Sequence, residues 1–304
     1  MFQSLLVPLD GSSFSERTLR LAKNLAEPNG AALHLAQVHV TDSPDALLSN
    51  PQFHFEGLDM AEYEAQDRAN EEAYLRDVQA RIGDGIPVDS MLLEGPVAKE
   101  IATYATRVGA DLVLITTHGR SGAKRVWLGS VADALLHCTH LPLLVLHPPP
   151  GGEIPIDAVT FGRIFVPLDG SERSASILDA AVDLAEASGA SIILAHVVAG
   201  SSGFAGALFP MRPHELSAAL EKADAYLEYE AQNLRERGLD VTIAVESYDN
   251  AIEGISKMAE TLGADVIALA THGYGGLRRA MAGSVADAIL QSSPLPLLVQ
   301  RPAD

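Results

Sequence analysis

The sequence has only one cysteine, and this scarcity excludes an internal disulfide. The residue is Cys138, in a chain of 304 amino acids. A thiol without a partner is typical of a reducing compartment. The sequence also lacks a long apolar run, since none approaches the roughly 18 residues that a membrane helix needs. Its first residues, MFQSLLVPLD, do not resemble a signal peptide. These absences predict a cytoplasmic protein with no membrane partner.

Basic residues are scarce relative to acidic ones. The chain has 21 Lys and Arg against 40 Asp and Glu, which gives a formal net charge of −19 at pH 7. A chain this acidic repels nucleic acid and anionic membrane surfaces, so neither is an expected partner. The composition, with 47% hydrophobic and 20% charged residues, is otherwise that of an ordinary globular protein.

Several motifs of enzymes and nucleotide-binding proteins are also absent. No GxxxxGK[ST] or GxGxxG follows the first predicted strand, so P-loop and Rossmann dinucleotide sites lack their loops. The sequence has no GxSxG, HExxH or CxxC motif. His137, Cys138 and His140 lie close together, but their spacing is a weak match to a metal site. We therefore predict no catalytic residues and no metal ligands.

What the sequence does contain is an internal repeat. The stretch from Asp111 to Val145 recurs from Asp265 to Val299, 154 residues later. Each copy reads as a buried strand, a loop, a helix opened by Gly-Ser, and a last strand. The run VPLDGS likewise occurs at residues 7–12 and 166–171, and each copy is followed by one predicted helix, which in the second half runs to about Ser188. The repeat predicts two domains, at residues 1–147 and 160–304, joined by a Pro- and Gly-rich linker at 148–159.

Each half alternates buried strands with helices. Continuous apolar runs such as residues 5–9 are typical of strands covered on both faces. This alternation predicts an α/β fold, in which each half has a parallel sheet with helices on both faces. Ligands of such sheets bind where the strands end, at the switch point in strand order. Asp10 ends the first strand, Val38 lies near the end of the second, and His118 and Gly119 follow the fourth.

A basic loop precedes the helix that opens at Gly129 and Ser130. The backbone amides at a helix N-terminus suit an anion such as phosphate. Both residues also have a structural interpretation, because Gly129 permits a tight turn and Ser130 can cap the helix. Asp10 and its counterpart Asp169 can cap a helix, hold a ribose hydroxyl or adenine amine, or do both. His118 is interpreted as structural or phosphate-contacting, because no nucleophile lies beside it in the sequence.

The repeated motifs resemble those of the universal stress protein family. They are VPLDGS, A-x-V after the second strand, and THG separated by nine residues from GSVAD. They occur in order in residues 1–147 and again in 160–302, so the chain is similar to a tandem universal stress protein. The resemblance implies two Rossmann-like or flavodoxin-like domains, each a five-stranded sheet ordered 3-2-1-4-5. It also implies that the last strands, at 141–145 and 295–299, pair as an intramolecular pseudo-dimer, which can associate further as a homodimer.

The resemblance further implies a function. The protein is expected to be a stress-response or regulatory protein, not an enzyme, that binds ATP, alone or with Mg²⁺, with slow or no hydrolysis. Asp10 would hold the adenosine, the backbone of Val38 the adenine edge, and the loop and helix start the phosphates. The full set of residues implied to contact nucleotide is Pro8, Asp10, Val38, Thr116, His118, Gly119, Arg120, Gly129, Ser130, Val131, Asp169, Val197, Gly273, Gly283, Ser284 and Val285.

The sequence departs from the ATP-binding pattern of the family at one position. The first motif glycine is Thr116 here and Ala270 in the second half. Both residues keep the backbone N–H but add a Cβ atom where the chain approaches the phosphates. The alternative therefore stays open: a family member that binds no nucleotide and acts through protein contacts.

The two halves also differ from each other. Gly95 and Arg120 of the first half correspond to Asp249 and Tyr274 of the second. A carboxylate repels phosphate, whereas Arg can donate a forked pair of hydrogen bonds to phosphate, worth roughly 1.5–3 kcal/mol. We therefore predict that ATP prefers the N-terminal half.

Overall fold

The computed structural model describes residues 1–40, 60–117, 129–147, 160–200, 211–271 and 285–302. The strands of the first half are β1 (Ser4–Leu9), β2 (Ala32–His39), β3 (Val88–Glu94), β4 (Leu112–Thr116) and β5 (Leu143–Leu146). Its helices are α1 (Arg17–Ala26), α2 (Met60–Ile82), α3 (Val97–Val108) and α4 (Ser130–Cys138), with a short 3-10 helix at Glu27–Asn29.

The second half repeats this order. Its strands are β6 (Arg163–Pro167), β7 (Ser191–Ala199), β8 (Val241–Tyr248), β9 (Val266–Ala270) and β10 (Leu297–Gln300). Its helices are α5 (Glu172–Ala175), α6 (Leu178–Ser188), α7 (Pro213–Glu236), α8 (Ala251–Thr261) and α9 (Val285–Ser292). None of the helices described is long and apolar enough to cross a membrane. The predicted linker, 148–159, lies outside the described residues.

All ten strands form one sheet, ordered β3-β2-β1-β4-β5-β10-β9-β6-β7-β8. Each half thus has the predicted order 3-2-1-4-5, and its strands are parallel. β5 and β10 pair antiparallel at the centre, with Leu144 opposite Leu298. The predicted α/β fold class is confirmed, and the last strands of the two halves lie side by side.

The core lies in two layers, one on each face of the sheet. Successive residues of β2 alternate between them: Leu33 and Leu35 pack toward α1 and α2, while Ala36 packs on the other face with α3 and α4. Each layer contains buried residues from both halves. The pairing of β5 with β10 therefore joins two repeated units around continuous apolar layers.

The helix after β6 differs from the sequence prediction, which was a single helix running to about Ser188. The structure has two helices there, α5 and α6, separated at Ser176 and Ile177. Ser171 caps α5 by accepting a hydrogen bond from the Ser174 N–H at 3.1 Å. Ile177 is fully buried. Local side-chain hydrogen bonds and the buried Ile177 thus divide into two helices a segment that the repeat predicted to be one helix.

Candidate functional site

The ends of β1, β2 and β4 lie next to one another and bring three described residues, Asp10, Val38 and Thr117, to one edge of the sheet. β1 lies between the other two strands, with Leu9 opposite Gln37 in β2 and Leu6 opposite Val113 in β4. If both registers are extended beyond the last paired residues, Asp10 is opposite Val38 of β2 and opposite Thr117, which follows β4. The strand order reverses between β1 and β4, so this row lies at the switch point of the first half.

The second half has the same row. Pro167 of β6 lies opposite Ala195 of β7, and Phe165 lies opposite Ile267 of β9. The continued registers place Asp169 level with Val197 and with Thr271. Thr271, like Thr117 in the first half, is only 4% exposed. The sheet therefore repeats the arrangement of an aspartate between a valine and a threonine.

Asp10 is held by two serines of the loop that follows β1. Its Oδ1 atom accepts hydrogen bonds from the Ser12 N–H at 3.0 Å and from the Ser12 hydroxyl at 2.6 Å. Its own N–H donates to Ser15 Oγ at 3.4 Å. The carboxylate is therefore oriented before any ligand binds. The N-cap of α1 is Glu16, so the alternative that Asp10 caps the following helix is wrong.

Asp169 has the same partners in the second half. Its Oδ1 atom accepts from the Ser171 N–H at 2.9 Å and from the Ser171 hydroxyl at 2.6 Å, and its N–H donates to Ser174 Oγ at 3.2 Å. Burial raises the pKa of Asp169, but the hydrogen bonds from Ser171 and Ser174 outweigh it, so the pKa is lowered overall. Asp169 is thus held as a carboxylate. Ser171, not Asp169, caps the helix.

Sequence reasoning did not identify the role of these serines. Ser15 and Ser174 each accept a hydrogen bond from the N–H of the aspartate five residues earlier. Each also lies three residues after the serine of the DGS motif. The signal was available, because S-x-x-S follows Asp-Gly in both halves while the residues between the serines differ. Such repetition indicates a loop built by serine side chains.

Gly129 packs directly against the end of β4. A Cβ atom at this position would lie 2.2 Å from the carbonyl oxygen of Thr117 and 3.0 Å from its carbon. Only glycine lets the start of α4 come this close to the strand. Gly129 is also the N-cap residue of α4, and the Asp133 N–H donates to its carbonyl at 2.9 Å. The expectation that Ser130 caps the helix is therefore wrong, since Ser130 is its first helical residue.

The remaining predicted residues lie at the same edge or outside the described parts of the chain. Pro8 is half-buried in β1, Thr116 is the last residue of β4, and Val131 lies in the first turn of α4. Val285 begins α9 and is 38% exposed. Six predicted residues lie outside the described residues: His118, Gly119, Arg120, Gly273, Gly283 and Ser284.

The two loops that were predicted to differ also follow strands at this edge. Gly95, after β3, has a φ of +125°, a conformation that favours glycine. In the second half, Asp249 follows β8, and Asn250 caps α8 by accepting from the Glu253 N–H at 2.8 Å. The two halves therefore start this helix differently, one from a glycine turn and one from a side-chain cap.

One repeated aspartate pair belongs to the opposite edge of the sheet. Asp111 accepts hydrogen bonds from the Gln3 N–H at 2.6 Å and the Ser4 N–H at 3.2 Å, at the start of β1. Asp265 accepts from the Gly162 and Arg163 N–H groups at 2.8 and 2.9 Å. These carboxylates fasten the beginnings of neighbouring strands. Asp111 and Asp265 are therefore repeated because they stabilise the fold, and they are not part of the candidate site at the strand ends.

Known proteins share both the sequence pattern and the fold. The family model described as the universal stress protein family matches residues 1–147 and 160–301. A universal stress protein of Mycolicibacterium smegmatis is 24% identical over 300 residues, covering 98% of this chain and 97% of its own. One from Methanocaldococcus jannaschii is 29% identical over 150 residues, covering 49% of this chain and 84% of its own. A solved universal stress protein from Archaeoglobus fulgidus has a TM-score of 0.67 at 20% identity, covering 99% of this chain and 97% of its own.

Proposed function

The chain belongs to the universal stress protein family, and we propose that it is a stress-response or regulatory protein that binds ATP, alone or with Mg²⁺, with slow or no hydrolysis. The site is the edge of the sheet where β1, β2 and β4 end. One arrangement carries the proposal: Asp10, oriented by Ser12, lies at the same edge of the sheet as the end of β4, and Gly129 packs the start of α4 against the residue that follows β4. An adenosine and a chain of phosphates need these two features side by side.

Each feature suits a different part of the nucleotide. Asp10, oriented by Ser12, would accept a hydrogen bond from a ribose hydroxyl or the adenine amine. The backbone of Val38 would bind the adenine edge. The N–H groups at the start of α4 would bind phosphate oxygens, because no side chain of the N-cap residue Gly129 competes for them. Asp169 and Val197 offer the corresponding groups in the second half.

The helix N-terminus alone is too weak to account for tight binding. Its dipole contributes about 0.3–1 kcal/mol to an anion, whereas micromolar affinity corresponds to about 8 kcal/mol. The aspartate, the apolar strand ends and the basic loop after β4 therefore have to supply most of the affinity. Arg120 of that loop corresponds to Tyr274 in the second half, and this difference supports preferential binding in the N-terminal half.

Two features support slow or no hydrolysis. Asp10 Oδ1 already accepts two hydrogen bonds from Ser12, so this carboxylate oxygen is committed to the loop rather than to activating a water. The sequence motifs of P-loop nucleotide hydrolysis are absent. Binding without rapid turnover suits a protein whose role is to report or respond to nucleotide.

The proposal is tested by titrating ATP calorimetrically into nucleotide-free protein and into two matched variants, Asp10→Asn and Asp169→Asn. Asn keeps the shape and an acceptor for the serine loop but loses the charge. Removing a charged acceptor costs about 1.5–3 kcal/mol, so Asp10→Asn should weaken binding roughly tenfold to a hundredfold. Asp169→Asn should leave the tighter site unchanged.

The two alternatives give different results in the same titration. Loss of tight binding only in Asp169→Asn would show that the second half holds the nucleotide. If the parent protein does not bind ATP, the result would favour the alternative that this protein binds no nucleotide and acts through protein contacts.

A further inference from the structure

A polar cluster lies between β2 and α2 in the first half. It consists of His39, Asp67 and Glu71, which we call the His39 cluster; one ligand atom of each lies within 4.8 Å of the others. His39 Nδ1 lies 2.7 Å from Glu71 Oε2 and 3.9 Å from Asp67 Oδ2. The histidine is 7% exposed, while the Asp67 side chain is 42% exposed. An imidazole and two carboxylates therefore converge on one point with access to solvent.

The side of α2 that faces the sheet changes from apolar to acidic residues at this cluster. Leu75, Val78 and Ile82 are buried against the sheet. Toward the start of the helix, the same side carries Glu71 and then Asp67, at the spacing of four residues that keeps side chains on one face. Carboxylates thus occupy places where the helix pattern otherwise puts apolar side chains.

The second half fills the corresponding places with apolar residues. The strand registers make Val198 the counterpart of His39. Ala223 of α7 is the counterpart of Glu71. Each lies four residues before the first of two buried aliphatic side chains that are seven residues apart, Leu75 and Ile82 in α2 and Leu227 and Leu234 in α7. Val198 is 6% exposed and Ala223 is 4% exposed. The repeated fold therefore does not require the polar cluster, and packing alone does not explain it.

Among the described residues, no Lys or Arg forms an ion pair with the carboxylates of the His39 cluster. Among the residues that the structure describes, the ion pairs of Asp67 and Glu71 are both with His39. The neighbouring Arg68 pairs instead with Glu94 of β3. Two carboxylates face a single imidazole, so the cluster carries excess negative charge. A divalent cation would neutralise this charge.

A buried amide beside the cluster supplies an independent sign of a ligand. Gln37, 4% exposed, donates from Nε2 to Glu71 Oε1 at 3.0 Å. Its own Oε1 atom is buried and has no hydrogen-bond partner among the described residues. The opposite orientation of the amide would set this oxygen against the Glu71 carboxylate, so the unpartnered atom is the oxygen. A buried carbonyl oxygen without a donor is costly unless a bound group supplies one.

The geometry points to a site for a divalent transition-metal ion at the His39 cluster, with His39 Nδ1 and the carboxylates of Asp67 and Glu71 as ligands. Imidazole together with carboxylate suits Zn²⁺ or its neighbours, whereas Mg²⁺ and Ca²⁺ take oxygen ligands. Bonds of about 2.0–2.2 Å set tetrahedral ligand atoms about 3.3–3.6 Å apart, so the 2.7 Å contact between His39 and Glu71 lengthens by less than about 1 Å. Gln37 orients Glu71 through the hydrogen bond from its Nε2 atom.

Zn²⁺ without nucleotide is the probe for this site. Tag-free, chelator-stripped full-length protein is dialysed against Zn²⁺, and bound metal is counted by mass spectrometry. We expect one tightly held ion per chain, which excess Mg²⁺ does not displace. The variant His39→Val with Glu71→Ala copies the second half and should fold but lose this ion. The control His214→Val with Glu72→Ala removes an exposed histidine and an exposed glutamate and should keep it.

Either of two results would overturn the inference: no tight Zn²⁺ binding by the parent, or equal binding by the parent and the His39→Val/Glu71→Ala variant. Circular dichroism checks that this variant is folded. If it is not, Glu71→Gln replaces it, since it keeps the side-chain shape and removes one charged ligand. Glu71→Gln should weaken Zn²⁺ binding at least about tenfold, and unchanged affinity would contradict the assignment.

Discussion

Replacing Gly129 with alanine tests how α4 is joined to the sheet. The added Cβ atom would lie 2.2 Å from the Thr117 carbonyl oxygen, whereas Cβ atoms in proteins essentially never approach other atoms within 3.0 Å. The atom in the way belongs to the backbone at the end of β4, so no side-chain rotation can relieve the overlap. Either the start of α4 or the end of β4 has to move.

The expected cost follows from this geometry. Forcing one extra carbon into a packed region costs about 1–3 kcal/mol. For units of this size, each kcal/mol lowers the melting temperature by roughly 2–4 °C, so Gly129→Ala should melt about 2–12 °C below the parent. Because the start of α4 moves, ATP affinity should fall as well.

Differential scanning calorimetry and urea unfolding measure the effect, with Ser130→Ala as the matched control. Ser130 is the next residue, is exposed, and is not the N-cap, so its replacement should change stability by no more than about 0.5 kcal/mol. A Gly129→Ala variant as stable as the parent would refute the close approach of Gly129 to Thr117.

Three further perturbations test the fold and its electrostatics. Leu144→Ala, at a fully buried position of the β5–β10 junction, should lower the free energy of unfolding by about 2–5 kcal/mol in urea titrations. Burial lowers the pKa of His34 below 6.5, so stability should fall as pH drops from about 6.5 through the folded pKa, because the unfolded chain binds the proton first. His34→Ile, which copies Ile193 of the second half, should reduce this loss, and an unchanged pH dependence would contradict it. Ser171→Ala should raise the pKa of Asp169, measured by carboxyl ¹³C NMR, because it removes a donor to the carboxylate; no change would show that Ser171 does not stabilise the charge.

The repeat made most of the fold predictable from the sequence. Two copies of the same alternation of strands and helices leave few topologies. The resemblance to the universal stress protein family implied that the runs at 141–145 and 295–299 pair between the halves. The observed junction of β5 with β10 agrees with that expectation. The repeat failed to predict the break at Ser176 and Ile177, because it depends on local hydrogen bonds such as that from Ser176 Oγ to the Arg173 carbonyl and on the burial of Ile177.

The sequence predicted which residues lie at the candidate site but not how those residues contact one another. The motifs placed Asp10 and Gly129 at strand and helix ends, and the strand registers bring those ends to one edge. The sequence could not show that Thr117 and Gly129 touch, since the contact crosses a loop and depends on backbone geometry. It also favoured Ser130 as the N-cap by residue type, whereas the close approach to β4 puts glycine at that position.

The His39 cluster was beyond sequence reasoning for a different reason. His39 lies 32 residues from Glu71, with no fixed spacing of the kind that marks a metal motif. Comparing the halves gives the available signal, because His39 and Glu71 replace residues that are apolar in the second half. Matching Glu71 to Ala223 requires the buried positions of the two helices, which the structure supplies.

Amide hydrogen exchange with and without ATP tests the central claim most directly, because it reports both binding and its location. The account predicts protection at residues 8–12, 36–40 and 129–133, where β1 and β2 end and α4 begins. Exchange near Asp111, at the opposite edge of the sheet, should not change. Protection confined to that opposite edge, or no protection at saturating ATP, would contradict a nucleotide site at the ends of β1, β2 and β4.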